Sequence, residues 1–233
     1  MNRRLHGFTL IELLVALSVM ALMAILGWRG VDGMARTQAQ TQARSDELLA
    51  LQTGLAQWSV DLDAVTQLAG VSAIDYDGRV LRLTRRGSGD AGDGILVVAW
   101  TRRSMEGSGQ WLRWQSPPLT TRGDLQLAWQ KAGQWAQNPG DEEKLREVAV
   151  TPLDDWQIFF YRSDAWTNPQ SSDATTQAST AAPAAASAAA LAQAGISLIP
   201  EGVRVVLTLP PGRALSGRLT RDWVRPTVGG GKS

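Results

Sequence analysis

Cysteine is absent from the 233 residues, which excludes a disulfide framework, thiolate metal sites and cysteine nucleophiles. Histidine is nearly absent too, His6 being the only one. Beyond position 6 there is thus no Ser-His-Asp system, no imidazole ligand for zinc and none of the commonest general base. Only carboxylate or lysine chemistry would remain. Neither charge dominates: 23 Lys and Arg stand against 22 Asp and Glu, a net charge of +1. A nearly neutral chain without a basic stripe gives nucleic acid no electrostatic footing as a partner. Tyrosine and phenylalanine are scarce, two and three against ten tryptophans. Rings that large suit a sheet core or a buried interface. The composition implies no metal and no cofactor.

What the chain does have is one long apolar run. From Phe8 to Trp28 there are 21 residues, and Glu12 is the only charged one. As an α-helix they would extend roughly 31 Å, close to the hydrocarbon thickness of a bilayer. A lone segment in lipid must satisfy its own backbone groups, so it is helical there. The run is too long for the h-region of a secretory signal, and Arg29-Gly30-Val31 makes no small-x-small cleavage site after it. A twin-arginine signal would use Arg3-Arg4 with polar residues before a shorter h-region, and those are missing. Arg3 and Arg4 place the N-terminus in the cytoplasm and the rest of the chain across the membrane. Glu12 is then the odd residue. A carboxylate at membrane depth costs roughly 2.5–3.5 kcal/mol and normally has a partner, unless it lies at the headgroup level. Cleavage after Gly7 would leave a new α-amino group on Phe8, and residues i and i+4 share a helix face.

Gly7-Phe8-Thr9-Leu10-Ile11-Glu12 resembles the class III signal of type IV pilins and pseudopilins. That family carries a short basic leader, a Gly at the cut, a Phe that becomes N-methylated, a Glu four residues later and then a hydrophobic helix. The resemblance implies cleavage between Gly7 and Phe8 by prepilin peptidase, N-methylation of Phe8, and subunit assembly through Glu12. Loss of Arg3 and Arg4 with the leader leaves 21 basic against 22 acidic side chains, a net −1.

After Trp28 the sequence is helix-compatible to about Leu68, without proline. Gly27, Gly30 and Gly33 fall three apart where the helix would leave the membrane. Each costs up to about 1 kcal/mol relative to alanine, so they form either a close-packing surface or a soft segment. Residues 36–47 are polar on nearly every face. Apolar residues resume at Leu48, Leu51, Leu55, Trp58, Leu62 and Val65, spaced 3, 4, 3, 4, 3. Such a stripe is a docking seam, and the strands that follow make the chain's own sheet its expected target, ahead of a short coiled coil.

From Gly78 the period changes from 3.6 to 2. Strands are expected at Arg79–Thr84, Ile95–Thr101 (an apolar run of the central-strand kind), Gln110–Gln115, Asp124–Lys131, Asp155–Arg162 (led into by Val148 and Val150), Glu201–Leu209 and Leu215–Trp223. Short strands separated by turns pair antiparallel. The fold class is α+β, a long N-terminal helix with a transmembrane first half packed on an antiparallel, curved or split β-sheet. The expected organisation is a leader at 1–7, a transmembrane and assembly helix at 8–28, a continuing amphipathic helix at 29–68, a β domain at 69–228 and a tail at 229–233. Ser171–Ala194 is rich in Ala, Ser and Thr, with too few large apolar groups to offset its ordering entropy. It is expected to be a mobile surface insertion (171–195), in which Ala188–Ala194 could form a short helix.

Three look-alike sites carry little. Gly87-Ser-Gly-Asp-Ala-Gly92 matches a dinucleotide fingerprint in letters, but a strand follows it instead of a helix, and Asp90 and Asp93 would repel phosphate. Asp75-Tyr-Asp-Gly78 has its Gly at the fourth position, where a calcium loop needs it at the sixth, and reads as a turn. Asp141-Glu-Glu143 and Asp154-Asp155 are paired carboxylates of glycosidase type, but in loops beside lysine they read as solvated charges. No catalytic constellation emerges, and the chain is not expected to be an enzyme.

The remaining sequence is similar to the J-type minor pseudopilins of type II secretion. The resemblance rests on Leu55-Ala-Gln-Trp-Ser-Val-Asp-Leu62, the Trp-rich strands, Trp156-Gln-Ile-Phe-Phe-Tyr161 with Trp166, and Leu198-Ile-Pro-Glu-Gly-Val-Arg-Val-Val-Leu207. The Ala-rich insertion departs from the family's short turn. The resemblance implies a structural subunit of a priming tip complex, with I- and K-type minor pseudopilins, the major pseudopilin and an inner-membrane assembly platform as partners. The protein would start in the lipid bilayer of the bacterial inner membrane, C-terminal domain periplasmic, and move into the pseudopilus. Trp-bearing strand faces would then be partner surfaces. Alternatives are a minor pilin of a type IV pilus, against which the lack of cysteine leans, a membrane-anchored periplasmic hydrolase using carboxylates, and a binding module.

Overall fold

The computed structural model describes residues 9–87, 94–105, 107–162, 164–170 and 199–226. The chain divides into two compact units, Met1–Asp46 and Glu47–Ser233. One helix, α1 (Leu10–Asp63), contributes to both. In the first unit it is long and apolar enough to cross a membrane, with a mean hydropathy of 2.5 over its most apolar window and none of that window buried. It continues without a break through Gly27, Gly30 and Gly33, each of which faces open space where a Cβ would lie.

The second unit builds two antiparallel sheets. The five-stranded one has the order β1 (Ile74–Tyr76), β2 (Val80–Arg86), β3 (Ile95–Met105), β4 (Ser108–Gln115), β5 (Glu147–Pro152). The four-stranded one runs β7 (Ala165–Thr167), β6 (Asp155–Arg162), β8 (Gly202–Leu209), β9 (Gly217–Val224). Strand β3 is the central, doubly buried strand its apolar run predicts. Alternation explains how it serves both sides. Val98 and Trp100 face one cluster, while Val97 and Ala99 face the other.

The stripe on α1 docks on the chain's own sheets, as its spacing predicts. Leu51, Trp58 and Leu62 are buried with Leu83, Val98, Trp100 and Trp111 from one sheet and Ile158, Phe160, Val205 and Trp223 from the other. Three indoles centre this core. Trp100 lies 4.6 Å from Trp111 and 5.4 Å from Trp58, centroid to centroid, within the range of favourable aromatic pairs. Close approach of helix and sheet needs a glycine at position 54. A Cβ there would collide with Val150 Cγ1 and stand 3.4 Å from Trp111 Cζ3. Gly54→Ala is therefore expected to destabilise the unit by about 1–3 kcal/mol through overpacking, despite alanine's better helix propensity, as read from denaturant unfolding.

Several sequence expectations are corrected. Asp124–Lys131 is not a strand but part of helix α2 (Arg122–Gln137). Leu125, Leu127 and Trp129 alternate, yet the face that packs is Leu125, Ala128, Ala132, Trp135 and Ala136, spaced for a helix. Thr121 caps it, its Oγ1 accepting from Asp124 N at 3.1 Å and donating to Asp124 Oδ2 at 2.7 Å. Helix α2 covers the face of the five-stranded sheet opposite α1. Helix α1 stops at Asp63 instead of near Leu68, because the chain turns to pair with β2: Thr66 N donates to Thr84 O at 2.9 Å, and Val65 bridges Arg85. Asp75 and Tyr76 lie in strand β1, and only Asp77-Gly78 turns, with Gly78 at φ 90°. Asp141-Glu-Glu143 belongs to a short helix, α3 (Asp141–Lys144). Most of the glycine-rich stretch at 87–94 and the insertion at 171–195 lie outside the described residues. Gly87 N still donates to Gly94 O at 3.2 Å, and β3 begins at Ile95, where a dinucleotide site needs a helix.

Most strand tryptophans are core rather than surface. Trp100, Trp111, Trp114, Trp156 and Trp223, on β3, β4, β6 and β9, are buried, which corrects the expectation that these Trp-bearing faces meet partners, while Trp166 on β7 is partly exposed. Burial also pushes the Tyr76 phenol up to about 12, with the Asp77 and Asp155 carboxylates adding to it. The folded chain thus holds this proton to higher pH than the unfolded chain does. Stability is unaffected by it below the unfolded value and falls as pH rises from 10.0 toward about 12. Tyr76→Phe should flatten that alkaline fall in a series of unfolding measurements.

Candidate processing and assembly site

Helix α1 begins with a capping box. Thr9 precedes the first helical residue, and Glu12 sits three positions on. Thr9 N donates to Glu12 Oε2 at 2.9 Å, Thr9 Oγ1 donates to the same oxygen at 2.8 Å, and Glu12 N donates back to Thr9 Oγ1 at 3.4 Å. Reciprocal bonds of this kind satisfy donors that the first helical turn leaves orphaned, and the carboxylate lies at the positive end of the helix dipole. Within one chain Glu12 is therefore partly compensated by Thr9, a partner that the sequence analysis did not name beside the α-amino group. Both contacts use Oε2, and Oε1 has no hydrogen-bond partner among the described residues. Gly7 and Phe8 lie outside the described residues.

A second polar cluster sits where α1 docks, and sequence reasoning did not single it out. Asp61 is fully buried. Its Oδ1 accepts from Arg85 Nη1, from Arg113 Nη2 at 2.8 Å and from Gln57 Nε2 at 2.9 Å. Its Oδ2 accepts from Arg113 Nε at 2.7 Å and from Trp100 Nε1 at 2.9 Å. One carboxylate thereby ties the helix to strands β2, β3 and β4. The signal was position: Asp61 follows Trp58 by three residues and precedes Leu62, so it must face the sheet. Asp63 repeats the device on the other sheet, accepting from Trp223 Nε1 at 2.7 Å.

The paired carboxylates weighed for catalysis are engaged elsewhere. Asp141 pairs with Lys144 at 3.3 Å and Glu142 with Lys131 at 3.3 Å, both on the surface. Among the described residues no group of three or more His, Cys, Asp or Glu could hold a metal ion. The polar clusters of the second unit position the helix on its sheets.

Residues 2–28 match the family model described as the prokaryotic N-terminal methylation motif. No curated protein and no solved structure gives a significant match to the chain. The matched stretch takes in the capping box and the apolar part of α1, and the motif is the signal of type IV pilins and pseudopilins, whose family is structural rather than enzymatic. It implies processing by prepilin peptidase and assembly with other pilin-like subunits, and the apolar helix near the N-terminus, the one among the described residues long and apolar enough to cross a membrane, fits inner-membrane anchoring. Joined to a long helix packed on antiparallel sheets, it supports a pilin or pseudopilin.

Proposed function

We propose that the protein is a minor pseudopilin of the type II secretion system, of the J type, a structural subunit of the tip that primes the pseudopilus. In this reading prepilin peptidase cuts between Gly7 and Phe8 and methylates the new amine. The helix then leaves the bilayer, and Glu12 Oε1 accepts the N-terminus of an adjoining subunit while Oε2 stays capped by Thr9. The domain lies in the periplasm and contacts I- and K-type minor pseudopilins and the major pseudopilin. Growth from the inner-membrane platform pushes folded exoproteins through the outer membrane.

The supporting observation is where the stretches that resemble the J type fall in the fold. Leu55–Leu62 is the docking face of α1, Trp156–Tyr161 lies in β6, and Gly202–Leu207 lies in β8. Strands β6 and β8 are neighbours, with Trp156 opposite Leu207 and Ile158 opposite Val205. Segments separated in sequence by the insertion are thus one structural unit under the helix. Deleting the gene in the native host tests the assignment. The proposal expects exoproteins to accumulate in the periplasm while pili remain normal, and candidate I- and K-type subunits to co-purify with the tagged protein. Loss of pili with normal secretion would assign it to a type IV pilus instead.

A further inference from the structure

Three of the four sheet edges are blunted in ways that keep other strands off. Strands β1 and β7 are three residues long each, and β5 faces a register shift at Trp111/Leu112 and ends in Pro152. Strand β9 differs. It pairs with β8 over eight residues without a bulge or a proline, and among the described residues no strand lies beyond it. Arg225 N donates to Glu201 O at 2.8 Å, one step past the Gly202–Val224 pair. Antiparallel pairs alternate, so Leu219, Arg221 and Trp223 turn their backbone groups toward β8, and those of Arg218, Thr220, Asp222 and Val224 point out from the sheet edge. The side chains along this edge are basic. Arg218 and Arg221 are exposed and Arg225 is half-buried, and none of the three has an ion pair among the described residues. Asp222 is already held by Arg204, Nε and Nη2 donating to its two oxygens at 2.7 and 2.6 Å.

We propose that this edge is a strand-addition site and that its occupant is an extended acidic segment of another protein, laid antiparallel along β9 as a further strand of its sheet. Arginines on an open edge repel a basic strand and admit an acidic one. Residues 218, 221 and 225 are three and four apart, so carboxylates at positions 1, 5 and 8 of an antiparallel segment stand opposite Arg225, Arg221 and Arg218. No stretch of this chain outside the described residues holds more than two acidic residues, so the chain does not supply that pattern itself. The inference rests on the strand edge alone and does not need the proposed function.

The probe is the synthetic peptide Glu-Thr-Val-Thr-Glu-Val-Thr-Glu, carrying a fluorophore and titrated with full-length protein in lipid nanodiscs. Its fluorescence anisotropy should saturate, and hydrogen exchange at the Thr220 and Asp222 amides should slow by about tenfold or more in the complex. The same peptide with lysine in place of each glutamate should not bind. Thr220→Pro removes an outward donor and leaves the bonds to β8, so it should abolish binding with little change in melting temperature. The double variant Arg218→Gln, Arg221→Gln keeps every backbone donor and should weaken binding about tenfold. No binding of the glutamate peptide at about 1 mM would overturn the site. Equal binding of the lysine peptide, or unchanged affinity in both variants, would do the same. So would slow exchange at Thr220 before any peptide is added, since the edge would then already be covered. None of these outcomes bears on processing or secretion, so the site can fail while the proposed function stands.

Discussion

Asp61→Ala is expected to destabilise the second unit by about 3–5 kcal/mol, the cost of leaving buried charge without its counter-ion. The carboxylate is fully buried and accepts five hydrogen bonds from four side chains, so its removal strands donors on α1 and on three strands at once. The guanidiniums of Arg85 and Arg113 would remain only 4% and 14% exposed. Asp61→Asn keeps the shape and one acceptor but removes the charge, and should lose less. Denaturant unfolding of the two variants separates these contributions. A loss under about 1 kcal/mol for Asp61→Ala would mean that water reaches the arginines readily and that the helix is held by apolar packing alone. A buried ion cluster does not by itself imply net stabilisation relative to an apolar core. Its expected role is to fix one register of helix on sheet, since only one turn of α1 places a carboxylate opposite both arginines.

Glu12→Ala should give the largest functional effect. The variant is expected to insert and to be cleaved normally, yet to fail completely in secretion or piliation assays. Within one chain the carboxylate already has two donors from Thr9, both on Oε2. Its capacity for one more charge-assisted bond lies on Oε1, at a depth where a carboxylate costs roughly 2.5–3.5 kcal/mol unless paired. A methylated amine from a neighbouring subunit would complete the pairing, and one such pair per subunit would repeat along a filament. Glu12→Gln discriminates charge from capping, because an amide can accept from Thr9 but carries no charge. Full activity of Glu12→Gln would reduce the role of residue 12 to starting the helix.

The helix stripe and the strands were legible in the sequence where period and residue size agreed. Leu51, Trp58 and Leu62 recur at helical spacing and pack as expected, and the unbroken run Ile95–Trp100 became the central strand. Helix α2 was hidden because its buried face is largely alanine, while the bulkier Leu127 and Trp129 alternate as they would in a strand. Leu127 turns out to be 57% exposed. The Thr121-x-x-Asp124 cap was the available signal. Thr9-x-x-Glu12 is the same pattern and was open to the same reading. The Asp61 cluster could not be assembled from sequence, since its partners Arg85, Trp100 and Arg113 lie 24, 39 and 52 residues away and are brought together only by strand register.

Intact-mass and N-terminal peptide analysis of the protein from its native host tests the central claim most directly. The mature chain should begin at Phe8 with one added methyl group on its α-amine. A chain that retains residues 1–7 would contradict the account.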